Sequence, residues 1–242
     1  MAHFYLSDAV TATAVGAVVV VTGTEARHAV TVGRLRPGEK LRVGDGRGTI
    51  AAGAVSFVEA DRFALAVESV HFEDESSPSL WLAQALAKND RDELAIQAAA
   101  ELGVDGVIPW ASGRSIVKWE GPKVRKHEER WASILREASK QSLRHRIPAL
   151  RSMTSSAGIA RLGEEFHLVV LEPTGSQLLS ELATDDRDIL LVVGPEGGIA
   201  PAELSRFAAA GASVVTMGDR ILRTSTAGPA AIAVLNSALG RW

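Results

Sequence analysis

Leu190-Leu-Val-Val-Gly-Pro-Glu-Gly-Gly-Ile199 and Val215-Thr-Met-Gly-Asp-Arg-Ile-Leu-Arg-Thr-Ser-Thr-Ala227 are two apolar runs that each stop at glycine. A buried parallel strand commonly delivers its chain into a ligand-facing loop in this way, and glycine lets backbone approach a small molecule closely. Two such loops, about one strand-helix-strand unit apart, imply one shared pocket. The upstream pattern supports a parallel sheet. From residue 80 onward, strands Leu80 to Leu86, Gly106 to Trp110, His167 to Leu171, Asp188 to Val193 and Ser213 to Met217 alternate with helical segments. The expected helices are Asp90 to Leu102, Val124 to Leu143, Gln177 to Leu182, Pro201 to Ala210 and Thr226 to Leu239, which together predict an α/β fold with both sheet faces covered.

Residues 1–74 read differently. Short strands are expected at His3 to Leu6, Ala17 to Thr22, Lys40 to Val43, Gly48 to Val58 and Phe63 to His71, with one short helix after Thr24 and a tight turn at Gly44-Asp-Gly-Arg-Gly48. That composition predicts a small closed or partly closed β-barrel. Glu73-Asp-Glu-Ser-Ser-Pro78 marks a linker, so the expected domains are 1–74 and 75–242.

The whole chain, 242 residues and 46% hydrophobic, has ample material for cores. Its apolar runs fall far short of the roughly 20 residues of a membrane helix, and its first residues lack a secretory pattern. The absence of cysteine rules out disulfides, thiolate metal sites and cysteine nucleophiles, and agrees with a cytoplasmic address. A formal net charge of -3 argues against nucleic acid until its distribution is considered. Between Arg114 and Arg151 lie eleven basic residues and four acidic ones. Such a stretch is either a solvated helix face or a polyanion-binding one.

The loop Gly194-Pro-Glu-Gly-Gly198 is not a phosphate loop. Glu196 places a carboxylate where a phosphate would sit, and neither G-x-x-x-x-G-K-[ST] nor G-x-G-x-x-G is present. An acidic residue there favours an amine, a sulfonium or ribose hydroxyls; the competing reading is a plain strand-to-helix turn. In the second loop, Ile221 and Leu222 are apolar where something flat, such as adenine, would cover them. Thr224 to Thr226 supply hydroxyls and a cap for the last helix. His28, His127 and His145 have no metal or triad spacing, and Ser112, Ser115 and Ser142 have no G-x-S-x-G setting.

Together these motifs resemble the SPOUT superfamily of RNA methyltransferases, and in detail the bacterial family that methylates N3 of a uridine in 16S ribosomal RNA. The similarity extends through Ala87-Lys-Asn-Asp-Arg91, Glu101-Leu-Gly-Val-Asp105, Arg114-Ser115, Arg130-Trp131 and Glu137 to Pro148. In the N-terminal part it includes His28, Arg34-Leu-Arg-Pro-Gly38 and Gly44-Asp-Gly46. The resemblance implies a PUA-like barrel, a parallel sheet whose last segment threads a deep trefoil knot, a homodimer, S-adenosyl-L-methionine as methyl donor and no metal. It places the cofactor on Leu171, Glu172, Gly194, Glu196, Gly197, Met217, Gly218, Ile221, Leu222 and Thr226, with Arg223 nearest the chemistry. Arg34, Arg36, Lys88, Arg114, Arg144 and Arg146 are the implied RNA contacts. The alternative for Arg223 is a salt bridge to Glu196 that pins the loop.

Two positions depart from the family pattern: Ser225 stands where a glutamate is common, and His3 where an arginine is. The main alternative function is a non-catalytic RNA-binding protein in which the barrel reads RNA and the α/β domain dimerises. A second is an enzyme with a nucleotide cofactor in a doubly wound fold, disfavoured by the missing phosphate loop.

Overall fold

The computed structural model describes residues 4–242, which divide into two compact units. The first comprises residues 4–75 together with 139–147; the second comprises 76–138 and 148–242. His3 lies outside the described residues.

In the first unit the chain runs β1 (Phe4–Leu6), β2 (Val18–Thr22), α1 (Gly23–Thr31), β3 (Lys40–Gly44), β4 (Thr49–Val58) and β5 (Arg62–Phe72). They form one five-stranded sheet in the order β1-β3-β4-β5-β2. β1 lies parallel to β3, and the other neighbours are antiparallel. The valines of β2 show why the sheet has an inside: Val19 and Val21 are buried while Val18 and Val20 are exposed, as a period of two requires. The inner face packs Tyr5, Val43, Phe63 and Leu65 with Ala26 and Ala29 of α1. Thr22, rather than Thr24, precedes α1, and its side chain makes no cap bond.

Residues 139–147, which the sequence places within the second domain, are held in the first unit by backbone bonds. Gly48 N donates to His145 O at 3.2 Å and Ile147 N to Gly46 O at 2.9 Å. Ile147 also packs on a cluster of Phe4, Leu6 and Ile50.

The second unit contains β6 (Leu80–Ala85), α2 (Arg91–Glu101), β7 (Gly106–Ala111), α3 (Pro122–Gln141, whose last turn belongs to 139–147), β8 (Ala149–Leu150), β9 (Thr154–Ser155) and α4 (Ser156–Arg161). It continues through β10 (His167–Leu171), β11 (Gln177–Leu178), β12 (Ile189–Val193), α5 (Pro201–Ala209), β13 (Ser213–Thr216) and α6 (Thr224–Ala238). The sheet order is β11-β13-β10-β12-β6-β7-β8, with β9 also on β7, and every pairing is parallel.

Alternate residues of each strand enter different cores. Ala83, Ala85, Ile108, Trp110, Leu168, Val170, Leu190 and Val192 pack with Ile159 of α4 and Phe207 of α5. On the opposite face α6 comes so close that a Cβ on Gly228 would lie 3.2 Å from Leu82 Cδ1. The central strands are therefore buried on both sides, which explains their nearly continuous apolar sequences.

One expected helix is absent. Gln177 to Leu182 has helical spacing, but Gln177 and Leu178 pair with Val215 and Thr216, and Leu179–Glu181 form a single 3-10 turn. An open edge on β13 outweighs local propensity. Conversely, α4 was not expected; Ser155 starts it by accepting a bond from Gly158 N at 3.3 Å.

A bulge between β4 and β5 gives a stability test. Ala52 faces Ser69 while Gly53 faces Val67, so Glu68 is the extra residue. A Cβ on Gly53 would sit 1.9 Å from the carbonyl oxygen of Ala66, a backbone atom that cannot swing away. Gly53→Ala should therefore destabilise the protein by about 1–3 kcal/mol, visible as a lower midpoint in thermal or urea unfolding.

Candidate active site

Strands β12, β10 and β13 lie side by side and parallel, so their carboxyl ends open on the same edge. A cleft of about 330 Å³ occupies that edge, a size that suits a nucleoside-scale ligand. Leu171 and Glu172 wall it after β10, Gly194 and Glu196 after β12, and Met217, Ile221, Leu222 and Arg223 after β13. Of the residues expected to hold a cofactor, Gly197, Gly218 and Thr226 do not line this cleft. Gly197 turns toward Arg114, where an added Cβ would meet Arg114 Cβ at 3.4 Å. Gly218 takes a φ of 108°, a conformation that favours glycine, and Thr226 lies exposed in the first turn of α6.

The Gly194–Ile199 loop is fixed by polar bonds from distant parts of the unit. The Glu196 carboxylate accepts from Lys88 N at 3.1 Å and Arg91 Nη1 at 3.3 Å. Arg114 Nη1 donates to the carbonyls of Gly197 at 3.0 Å and Ile199 at 3.4 Å. Thr224 Oγ1 donates to Gly194 O at 2.8 Å and accepts from Gln84 Nε2 at 2.8 Å. Gln84 Nε2 also donates to Ala85 O at 3.1 Å. Gln84 is fully buried, and its Oε1 has no partner among the described residues. An unmet buried acceptor costs about 1–3 kcal/mol.

The second loop is held less tightly. Ile221 is 83% exposed although apolar, and Arg223 is also exposed. Among the described residues nothing bonds to the Arg223 guanidinium, and the salt bridge to Glu196 is not formed; Arg91 pairs with that carboxylate instead. The backbone of Arg223 nonetheless starts α6: its carbonyl accepts from Thr226 N at 2.8 Å and Ala227 N at 2.9 Å. The helix thus begins at Thr224, earlier than expected, and without a hydroxyl cap.

Glu203 supports the site from outside. Its carboxylate accepts from Gly113 N at 2.8 Å, Ala200 N at 3.0 Å, Ser112 Oγ at 3.2 Å and Ser156 Oγ. Burial alone would raise its pKa, but the donors, led by Ser156, Gly113 and Ala200, together hold it below the ordinary carboxylate value. It joins the turn before Arg114 to the start of α5. Sequence reading missed it; the signal was Pro201 at the first helical position with Glu203 two residues on, a helix-start pattern.

The six basic RNA candidates divide by their surroundings. Arg34, Arg36 and Lys88 are exposed, and no described residue bonds to their side chains. Arg114 is spent on the loop just described. Arg146 donates to Glu73 O at 2.9 Å and Glu75 Oε1 at 3.3 Å, and lies 5.3 Å over the Phe72 ring. Arg144, half-buried, is also engaged. Among the described residues there is no cluster of side chains able to hold a metal ion, and no helix long and apolar enough to cross a membrane.

A family model for the RNA methyltransferase domain matches residues 74–236, and one for the RNA methyltransferase PUA domain matches 21–68. The ribosomal RNA small subunit methyltransferase E of Mycobacterium bovis is 39% identical over 94% of this chain and 89% of its own. The chain belongs to the ribosomal RNA small subunit methyltransferase E family. Its counterpart from Bacillus subtilis is 30% identical over 86% of this chain and 85% of its own. Among solved structures, a family member from Neisseria gonorrhoeae bound to S-adenosylmethionine aligns with a TM-score of 0.88 at 28% identity, covering 98% of both chains. The PUA domain assignment agrees with the five-stranded first unit, and the parallel sheet with the methyltransferase domain.

Glu203 yields a pH-dependent prediction. Its folded-state pKa is depressed, so its contribution is complete above the unfolded value and is lost as pH falls through the folded one. Glu203→Gln should destabilise the protein by about 1–3 kcal/mol at pH 7. In unfolding curves taken from pH 7 toward pH 3, the gap between the two proteins should narrow.

Proposed function

We propose that this protein transfers a methyl group from S-adenosyl-L-methionine to N3 of a uridine in the 16S ribosomal RNA of the small subunit. The observation that carries the proposal is the cleft at the carboxyl ends of three parallel strands, with the unpaired Arg223 guanidinium on its wall. The residues present fit the methyl donor. Glycine at Gly194 gives backbone access to a ligand, Glu172 and Glu196 suit ribose hydroxyls or an amino group, and Ile221 and Leu222 offer an apolar surface to adenine.

Bound there, S-adenosylmethionine would supply an electrophilic methyl on a sulfonium. The protein's task is to align the acceptor and favour loss of its proton. Uridine N3 is a weak acid whose conjugate base spreads charge onto O2 and O4. A guanidinium beside either oxygen stabilises that anion without acting as a base, and Arg223 is exposed and unpaired as this role requires. Of the six basic candidates, Arg34, Arg36 and Lys88 have no side-chain partner among the described residues and so remain open to RNA phosphates.

The same reading includes a homodimer, a cytoplasmic location beside the ribosome, and a deep trefoil knot formed as the last segment threads the chain. A non-catalytic RNA-binding role is the weaker reading, since it leaves the cleft and the unpaired Arg223 without a use.

Arg223→Ala should keep its affinity for S-adenosylmethionine in calorimetry while turnover on small ribosomal subunits falls about 10²–10³-fold. An equal loss of cofactor affinity would mean that Arg223 only shapes the loop. Mass mapping of subunits methylated in vitro should place the methyl on uridine N3; methyl on a ribose, or on transfer RNA, would overturn the substrate. Binding to the subunit should weaken steeply with salt, and removing Arg34, Arg36 or Lys88 should each flatten the logarithmic slope by about one.

A further inference from the structure

Gln84 is the one polar residue of the apolar strand Leu80-Trp-Leu-Ala-Gln-Ala85, and sequence reading passed over it. It does not reach the cleft. Its amide instead donates to Thr224 Oγ1, which in turn donates to the carbonyl of Gly194 on the cleft wall. Being bonded to Gln84 Nε2 orients the hydroxyl: its lone pair is engaged by the amide, so its proton is directed at Gly194 O. The relay joins Gln84 to Thr224 across 140 residues and Thr224 back to Gly194 across 30 of them. It therefore connects strand β6, the loop after β12 and the start of α6.

Stability alone does not account for this arrangement. Gln84 is fully buried with Oε1 unpartnered among the described residues, and a methionine of similar length would remove that unmet acceptor. We infer that Gln84 and Thr224 are positioning residues for cofactor binding, aligning the Gly194 backbone with the Ile221–Arg223 segment in one cleft. The inference rests on the reading that this cleft takes S-adenosylmethionine. Neither side chain takes part in the chemistry, so their effect falls on cofactor affinity and not on the methyl-transfer step.

The decisive comparison is Gln84→Met, with S-adenosylmethionine affinity from calorimetry, KM and kcat on small ribosomal subunits, and the thermal midpoint. The expected result is a three- to tenfold weaker affinity and a matching rise in KM, about the worth of one hydrogen bond. Turnover at saturating cofactor should stay within about twofold, and the midpoint should be kept or raised. Thr224→Val and Thr224→Ser supply a second route that does not depend on Gln84→Met folding. Valine should reproduce the affinity loss, and serine, which keeps the hydroxyl, should restore wild-type binding.

The inference is overturned if Gln84→Met binds cofactor as the wild type does, if affinity and midpoint fall together, or if Thr224→Ser is as weak as Thr224→Val. Absence of binding to the unaltered protein is a different outcome: it overturns the cofactor reading itself.

Discussion

Burial of the central parallel strands on both faces governs the second unit. A strand such as Ile189–Val193 has no solvated face on which to carry polar groups, so chemistry must be displaced to where the strand stops. In parallel strands the stops coincide. Leu171, Val193 and Thr216 end adjacent strands on one edge, and the loops that follow have no choice but to share a cleft. The site is thus a consequence of strand direction as much as of particular residues.

The two walls of that cleft differ in mechanical character. Gly194–Ile199 is bonded to Lys88 and Arg91, to Arg114 and to Thr224, which belong to three separate parts of the chain. The segment Ile221–Arg223 is anchored mainly where α6 begins, and the side chains of Ile221 and Arg223 are exposed while Leu222 is half-buried. One wall therefore offers a fixed backbone surface, while the other carries adaptable apolar and cationic side chains. A methyl donor requires accurate placement, and an RNA base arriving from outside requires accommodation.

What could be read from sequence depended on how local its cause was. The strand His167–Leu171 and the helix from Pro201 were legible because an apolar run, a glycine or a proline announces them over a few residues. The glycine loops and the apolar pair Ile221-Leu222 were legible for the same reason. Gln177–Leu178 was misread because its partner strand lies some forty residues away, and the edge of β13 decided its conformation. Gln84, Thr224 and Glu203 stayed hidden as support for the site because each acquires its meaning from a bond across 30 to 140 residues. Of the ten cofactor residues that the resemblance implied, seven line the cleft and Gly197, Gly218 and Thr226 do not, while Arg114 and Arg146, which it implied for RNA, also bond within the fold.

The segment 139–147 makes the first unit discontinuous in the chain. Ile147 fills the cluster of Phe4, Leu6 and Ile50, and Arg146 closes on Glu73 and Phe72. No contiguous stretch of the gene therefore encodes the whole unit. A fragment ended after residue 75 would lack part of its own core, so the natural seam of this protein in space is not a seam along its sequence. Recombination that exchanged N-terminal domains between relatives at the acidic linker would have to carry a second, distant nine-residue piece with it, which ties the two parts to a common history.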